Sequence, residues 1–206
     1  MNEGVSDEKP KNGVAVSPSP DRSIWLKKLW YGLWGRAERT ESALYVESLS
    51  GPVRILVVCY GNICRSPVVE ALLRGLLPGD RFSIASCGLL PREGTVSPEQ
   101  YVMEAKRFGI DLSEHRSRYI SNTMIEWSNL IVIMDRQNLD LLKDYAPSAV
   151  EKTVWMGAWD PSGGLEIPDP FDRSSEEVRA IIARMKRASI NLARSLSSAS
   201  VRSSRR

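Results

Sequence analysis

At 206 residues the chain is long enough for one ordinary domain plus tails, and a net charge of +3 without basic runs interleaved with aromatics makes no case for nucleic acid. Three cysteines without paired spacing argue against a disulfide scaffold and suit a reducing compartment. No uninterrupted apolar run approaches the roughly 18 residues that a membrane-spanning helix needs.

Residues 1–20 mix Gly, Pro, Ser, Lys and Glu with no apolar periodicity, which predicts disorder. They lack the apolar core and small-residue cleavage site of a secretory signal. An amphipathic helix is expected over residues 23–40. Trp25, Leu29 and Leu33 share one face, Ile24, Leu26, Trp30, Tyr31 and Trp34 widen it, and Lys27, Lys28, Arg36 and Arg39 lie opposite. Tryptophan beside cations suits a helix lying in a membrane interface. Packing on the rest of the domain, or on a second copy, explains the same face. Ile24–Trp34 is therefore expected to contact a membrane surface or a partner, and residues 43–50 read as linker, ended by Gly51-Pro52.

The stretch around which the chain is organised, VRILVVCYGNICRSPVVEALLR, spans residues 53–74. Its apolar run stops at Cys59, a Gly- and Asn-bearing loop follows, and a helical pattern resumes with Val68, Val69, Ala71 and Leu72. Ser66 suits the helix cap and Pro67 the first helical position. This is a strand, a tight loop and a helix, with the loop at the carboxyl end of the strand, where open α/β sheets bind ligands. The amides of Tyr60, Gly61, Asn62, Ile63, Cys64, Arg65 and Ser66 should converge on one point and favour an anion. Amides, a helix N-terminus and a guanidinium around Cys59 favour its nucleophilic thiolate, and Ser66 has a hydroxyl to donate to it. Arg65 has the planar fork to hold two phosphate oxygens. A nucleophile in a phosphate cradle is an arrangement for covalent phosphoryl transfer. Cys59, Cys64, Cys87 and the single histidine, His115, lack the C-x2-C pair of a structural zinc site, so no metal or other cofactor is expected.

Further along, residues 82–86 read as a second strand and residues 89–98 as a Pro- and Gly-bearing loop. A helix capped by Ser97, with Pro98 at its first position, should run to Gly109. Residues 130–134 form a continuous apolar run, as a doubly covered parallel strand requires. Residues 138–145 read as a helix, 152–156 as the last strand, and a long helix should start at Ser174 or Ser175 and end near residue 197. Residues 198–206 are expected to be a disordered basic tail. Four strands alternating with helices mean an α/β sandwich on a parallel sheet. The domain is expected over 51–197, behind an extension of 1–50.

The nine residues CYGNICRSP resemble the signature of the low-molecular-weight protein-tyrosine phosphatases. So do Ser86 to Gly88, GIDLSEHRSR (Gly109 to Arg118), LIVIMD (Leu130 to Asp135) and Asp169-Pro170-Phe171, in the family's order. The resemblance implies a three-layer α/β sandwich with a four-stranded parallel sheet of order 2-1-3-4. It implies phosphotyrosine hydrolysis through a cysteinyl phosphate on Cys59, with Arg65 binding phosphate and Asp169 as proton donor, and no metal. By resemblance, Asn62, Ser66 and His115 support the loop from behind, Leu89 and Phe171 wall the substrate slot, and Asp135 is supportive rather than catalytic. Asp160 and Asp172 are the other acids near the proton-donor position, and neither matches the motif. Where members often carry a second aromatic after Phe171, this chain has Asp172. Cys64 has two readings: it traps an oxidised Cys59 as a reversible disulfide, or it packs beneath the loop.

The implied partner is a phosphotyrosine protein, such as the tail of a tyrosine kinase of polysaccharide export, met in the cytoplasm or at the inner face of the membrane. Arsenate reductase on the same scaffold is the first rival, but it needs a relay of downstream thiols and no cysteine follows Cys87. The second, a non-catalytic phosphate-binding module, sits poorly with Cys59, Arg65, Ser66 and Asp169 all present.

Overall fold

The computed structural model describes residues 22–203, with side chains over 32–199. The disorder expected for residues 1–20 and the last three residues of the expected tail lie outside that range. The described elements begin with α1 (Arg22–Ser48), β1 (Val53–Cys59), α2 (Arg65–Leu76) and β2 (Phe82–Gly88). Then come α3 (Glu99–Lys106), α4 (Asn122–Trp127), β3 (Leu130–Ile133), α5 (Arg136–Tyr145), β4 (Thr153–Trp155) and α6 (Ser175–Ser203). Short 3-10 turns flank β4, at Pro147–Lys152 and Met156–Trp159.

The four strands form one parallel sheet in the order β2-β1-β3-β4, as the resemblance implies. Val57 of β1 lies opposite both Ser86 and Val132, so Cys59 leaves the sheet at its carboxyl edge beside Gly88. The strands are buried on both faces, which is why β1 and β3 read as unbroken apolar runs. Ile55, Val57, Val132 and Val154 join one core cluster with Val69 and Leu73 of α2 and Ile182, Met185 and Leu192 of α6. Leu56, Val58, Ile131 and Ile133 join another with Ile125 of α4 and Leu142 of α5. Each fully buried side chain of this size contributes about 1.5–3 kcal/mol, so both layers hold the edge from which the phosphate loop springs.

Several boundaries differ from those expected. α1 continues to Ser48, where a linker was expected, because Ser42 and Val46 are buried against the domain. The chain divides after Leu33 rather than at residue 50, and Trp34–Arg206 forms the unit built on the sheet. α3 is shorter than the pattern implied: Pro98, not Ser97, occupies its cap, and the buried Ser97 hydroxyl has no partner among the described residues. β4 is limited to three residues by the 3-10 turns on either side of it, and the Trp155 N–H is taken by the Ser42 hydroxyl (3.4 Å). α4 was not anticipated; it is a six-residue helix capped by Ser121, whose Oγ accepts from the Met124 N–H at 3.2 Å. α6 runs on to Ser203 because Leu196 and Ala199 continue its buried stripe beyond Leu192, so residues 198–203 are helical rather than a free tail. Among the described residues no helix is long and apolar enough to cross a membrane.

Candidate active site

β1 ends at Cys59, and the chain turns through Tyr60–Cys64 into α2. Asn62 takes the turn at φ 52°, a left-handed conformation that Asn tolerates better than most residues. α2 begins at Arg65 with Cys64 in the cap position, so Ser66 and Pro67 lie inside the first turn instead of at its cap and first position. Pro67 is tolerated there because the first-turn N–H groups have no helical acceptor. Ser66 is free of capping because its hydroxyl serves the thiol. It accepts from Asn62 Nδ2 at 2.9 Å, and its one proton has two acceptors, Cys59 Sγ at 3.0 Å and the Cys87 carbonyl at 3.4 Å, of which a thiolate is the stronger. The Asn62 N–H also points at Sγ, at 3.3 Å.

Asn62 is wholly buried and ties the loop to two other segments, β2 and residues 109–118. Its Nδ2 also donates to Ser86 Oγ (2.8 Å), its Oδ1 accepts from the Arg118 N–H (2.8 Å), and its carbonyl accepts from His115 Nε2 (2.6 Å). A carbonyl can only accept, so Nε2 is the protonated nitrogen of His115. Gly88 completes the brace, because a Cβ there would lie 2.9 Å from the Asn62 nitrogen and the Gly61 carbonyl carbon.

Arg65 is almost fully buried, yet its guanidinium is gripped from both sides. Nη1 pairs with Asp135 and donates to the Ile167 carbonyl at 3.3 Å, while Nη2 pairs with Asp169. Burial works against its charge, but Cys59, Asp169 and Asp135 together hold its pKa above the ordinary arginine value. Its Nε is buried and has no partner among the described residues, so it remains a donor for an anion oxygen. The structure thus puts Asp135 in direct contact with Arg65, closer to the phosphate site than the sequence reading set it.

A cleft of ≈ 460 Å³ opens over this loop, lined by Cys59, Tyr60, Gly61, Ile63, Cys64 and Arg65. Across from them stand Leu90, Arg92, Gln137, Asp169 and Phe171. Leu89, expected as a wall, is instead turned into the core, and Leu90 takes its place. Asn62, Ser66 and His115 do not line the cleft. Arg92 and Gln137 do, and neither was singled out from sequence; their only signal was position, in the loop after β2 and two residues beyond Asp135. Of the three acids near the proton-donor position, only Asp169 reaches the cleft. Asp160 is fully buried, with Arg184 Nε at 2.8 Å and the Ser162 hydroxyl at 2.8 Å, and Asp172 lines a separate small cavity. Asp169 is fixed by its own turn: Oδ1 accepts the Phe171 N–H (3.1 Å) and its carbonyl accepts Arg173 Nε (2.6 Å).

The remaining thiols are unlike Cys59 in setting. Burial, then the charge at Cys59, pushes the Cys64 and Cys87 thiols far above the ordinary range. All three cysteines are free, and among the described residues no three His, Cys, Asp or Glu side chains gather as metal ligands.

The profile of the family described as low molecular weight phosphotyrosine protein phosphatase matches residues 54–202. A curated relative, the probable low molecular weight protein-tyrosine-phosphatase AmsI of Erwinia amylovora, is 36% identical over 134 residues, covering 65% of this chain and 90% of the relative. Among solved structures, the YwlE arginine phosphatase of Geobacillus stearothermophilus superimposes with a TM-score of 0.65 at 32% identity, over 71% of this chain and 94% of that one. Vibrio vulnificus Wzb, in complex with benzylphosphonate, gives 0.63 at 30% identity, over 70% and 99%.

Proposed function

The chain belongs to the low molecular weight phosphotyrosine protein phosphatase family, and from that premise we propose how its residues hydrolyse phosphotyrosine. The Cys59 thiolate attacks phosphorus in line as the bond to the tyrosyl oxygen breaks. Asp169 gives its proton to that departing oxygen. Arg65 and the loop amides bind the equatorial oxygens, where charge gathers in the transition state. Asp169, now ionised, takes a proton from the water that attacks the cysteinyl phosphate. The sulfur–phosphorus bond then breaks, freeing inorganic phosphate and the thiolate. The observation that carries this reading is the pair of donors on Cys59 Sγ, the Asn62 N–H and the Ser66 hydroxyl, beside the Arg65 guanidinium. Both donors stabilise the thiolate as nucleophile and as leaving group.

The slot above the loop favours an aryl group. Ile63, Leu90 and Phe171 offer apolar faces to a phenyl ring, as a benzylphosphonate-binding relative would require. The similarity to an arginine phosphatase raises phosphoarginine as a second substrate. Against it, Ile63, Leu90 and Phe171 favour an aryl face and Arg92 repels a guanidinium, while Asp169 and Gln137 are the acceptors in the cleft that one could use. Matched peptides carrying phosphotyrosine or phosphoarginine decide between them; faster turnover of phosphoarginine would reverse the assignment. Arsenate reduction with thioredoxin, tested in parallel, should be absent because the buried Cys87 is the last cysteine of the chain.

We place the enzyme in the cytoplasm at an anionic membrane surface, held by the part of Ile24–Trp34 ahead of the domain. Tryptophans beside cations support that contact. Trp34 itself packs against Trp155 and is excluded from it. A phosphotyrosine tail of a tyrosine kinase of polysaccharide export fits such a location and is the physiological substrate we infer.

A further inference from the structure

The two carboxylates that grip Arg65 hang from different segments, and the second half of α1 touches the supports of both. Asp135 caps α5, its Oδ1 accepting the Asn138 N–H at 2.8 Å while its other oxygen holds Arg65. The next residue, Arg136, lies over the Trp34 ring, 4.9 Å from its centroid. Trp34 in turn meets Trp155 edge-on, with centroids 5.4 Å apart, and Glu38 accepts the Trp155 Nε1–H at 2.8 Å. One turn of α1 thus backs the start of α5.

The other carboxylate follows a longer path. Arg39 donates from Nη1 to the carbonyls of Gly157 (2.7 Å) and Ala158 (2.8 Å), and from Nη2 to that of Gly163 (2.6 Å). This fork closes the 3-10 turn after β4 onto the loop that leads to Asp169. The loop is tight: a Cβ on Gly157 would lie 1.9 Å from the Leu165 carbonyl oxygen. Arg184 continues the path, bonded to the buried Asp160 and to the Glu166 carbonyl (2.7 Å). Ile167 then anchors to the Met134 carbonyl (2.7 Å) and presents its own carbonyl to Arg65. Two residues later comes Asp169.

We propose that Trp34 and Arg39 of α1 are positioning residues for the phosphate site, Trp34 acting on Asp135 through Arg136 and Arg39 acting on Asp169 through residues 157–167. The proposal rests on the assignment of Asp169 as the proton donor. The inward face of this half-helix sets Glu38, Arg39 and Ser42 among Trp34, Tyr45 and Val46, and its polar groups bond backbone and ring partners. A cover for the exposed edge of β4 would need only apolar contact and the Ser42 bond. Three guanidinium bonds to three carbonyls fix the path of a loop, and displacement of an acid by about 1 Å can cost up to roughly 10²-fold in rate.

The test compares Arg39→Ala and Trp34→Ala in the full chain, well below their unfolding temperatures, on phosphotyrosine peptide and on p-nitrophenyl phosphate. Arg39→Ala should lower kcat on phosphotyrosine by about fivefold or more, with a clearly smaller loss on p-nitrophenyl phosphate, whose leaving group needs less help. Arg39→Lys, which keeps the charge but not the fork, should fall between, and it decides the matter if the alanine variant does not fold. Trp34→Ala should weaken inhibition by inorganic phosphate by about threefold or more, and Trp34→Phe should restore it, because a ring face remains for Arg136. Variants with lowered unfolding temperature but unchanged kcat, leaving-group dependence and phosphate inhibition would reduce this helix to edge cover and overturn the proposal. Asp169→Asn serves as the control. If it loses activity selectively on phosphotyrosine while Arg39→Ala does not, positioning fails alone; if it shows no selectivity, the assignment of the acid fails with it.

Discussion

Arg65 and Asp169 form an ion pair across 104 positions of sequence, so the group proposed to bind phosphate also holds the group proposed to supply the proton. Neither can be changed without moving the other. Their effects on rate should therefore be far from additive, as for residues that act as a unit.

Asp169→Asn should lower kcat on phosphotyrosine by about 10²-fold or more, with a much smaller loss on p-nitrophenyl phosphate. Asp160→Asn should show a far weaker leaving-group dependence, since Asp160 is buried with Arg184 away from the cleft and touches Asp169 only through the path of the loop. Steady-state kinetics on the two substrates distinguish these outcomes, and a larger selective loss from Asp160→Asn would move the acid.

Asp160 should leave its mark on acid stability instead. Burial alone would raise its pKa, but the Ser162 and Arg184 hydrogen bonds and the Arg187 charge hold it below the usual carboxylate value. A folded-state pKa lower than the unfolded value of about 3.9 stabilises the protein above that pH. The contribution is lost as pH falls through the folded value. Asp160→Asn should thus lower the unfolding temperature near neutral pH and flatten its decline below pH of about 4. Parallel curves for the two proteins at all acidic pH values would contradict this.

The three thiols should separate by reactivity. Because burial and the Cys59 charge raise the Cys64 and Cys87 thiols, both should stay protonated and unlabelled by iodoacetate up to pH of about 9 in the folded protein. Cys59, on the cleft, should take the label, and phosphate should protect it. Peptide mapping by mass spectrometry reads the sites directly.

The extension divides into parts with different consequences. Deleting residues 1–33 should leave kcat on p-nitrophenyl phosphate within about twofold, because no residue of the sheet-bearing unit is removed. The same deletion should weaken binding to vesicles containing phosphatidylglycerol, and salt should weaken binding of the full chain. Deleting residues 1–50 should lower both stability and kcat, since Arg39, Ser42 and Val46 go with it. Full activity from the longer deletion would refute the role given to α1.

What was legible in the sequence follows from how local each signal is. The β1–loop–α2 unit shows in the chain because an apolar run, a Gly–Asn turn and a Pro-bearing helix start lie within adjacent residues, and the parallel sheet shows in the unbroken apolar runs. The docking of α1 did not show. Its inward face carries Glu38, Arg39 and Ser42, so an apolar-stripe reading ended the helix early. The grip of Asp135 on Arg65 is a contact across 70 positions of sequence that no local pattern encodes. Leu89 and Leu90 are adjacent in the bend that follows β2, both N–H groups donating to the Tyr60 carbonyl at 2.8 Å, and the bend sends one side chain into the core and the other to the cleft. Sequence marked the right place there and the wrong side.

The central claim, a covalent intermediate on Cys59, is tested most directly by rapid acid quench during turnover of a phosphotyrosine peptide, followed by mass spectrometry of the Cys59 peptide. With Asp169→Asn, slowed in hydrolysing the intermediate, p-nitrophenyl phosphate replaces the peptide, because its leaving group departs with little help from the acid. The account predicts a phosphoryl group on Cys59 that forms before phosphate release and is absent from Cys59→Ser. Turnover with no phosphoryl group on Cys59, or Cys59→Ser retaining more than about a hundredth of wild-type activity, would contradict it.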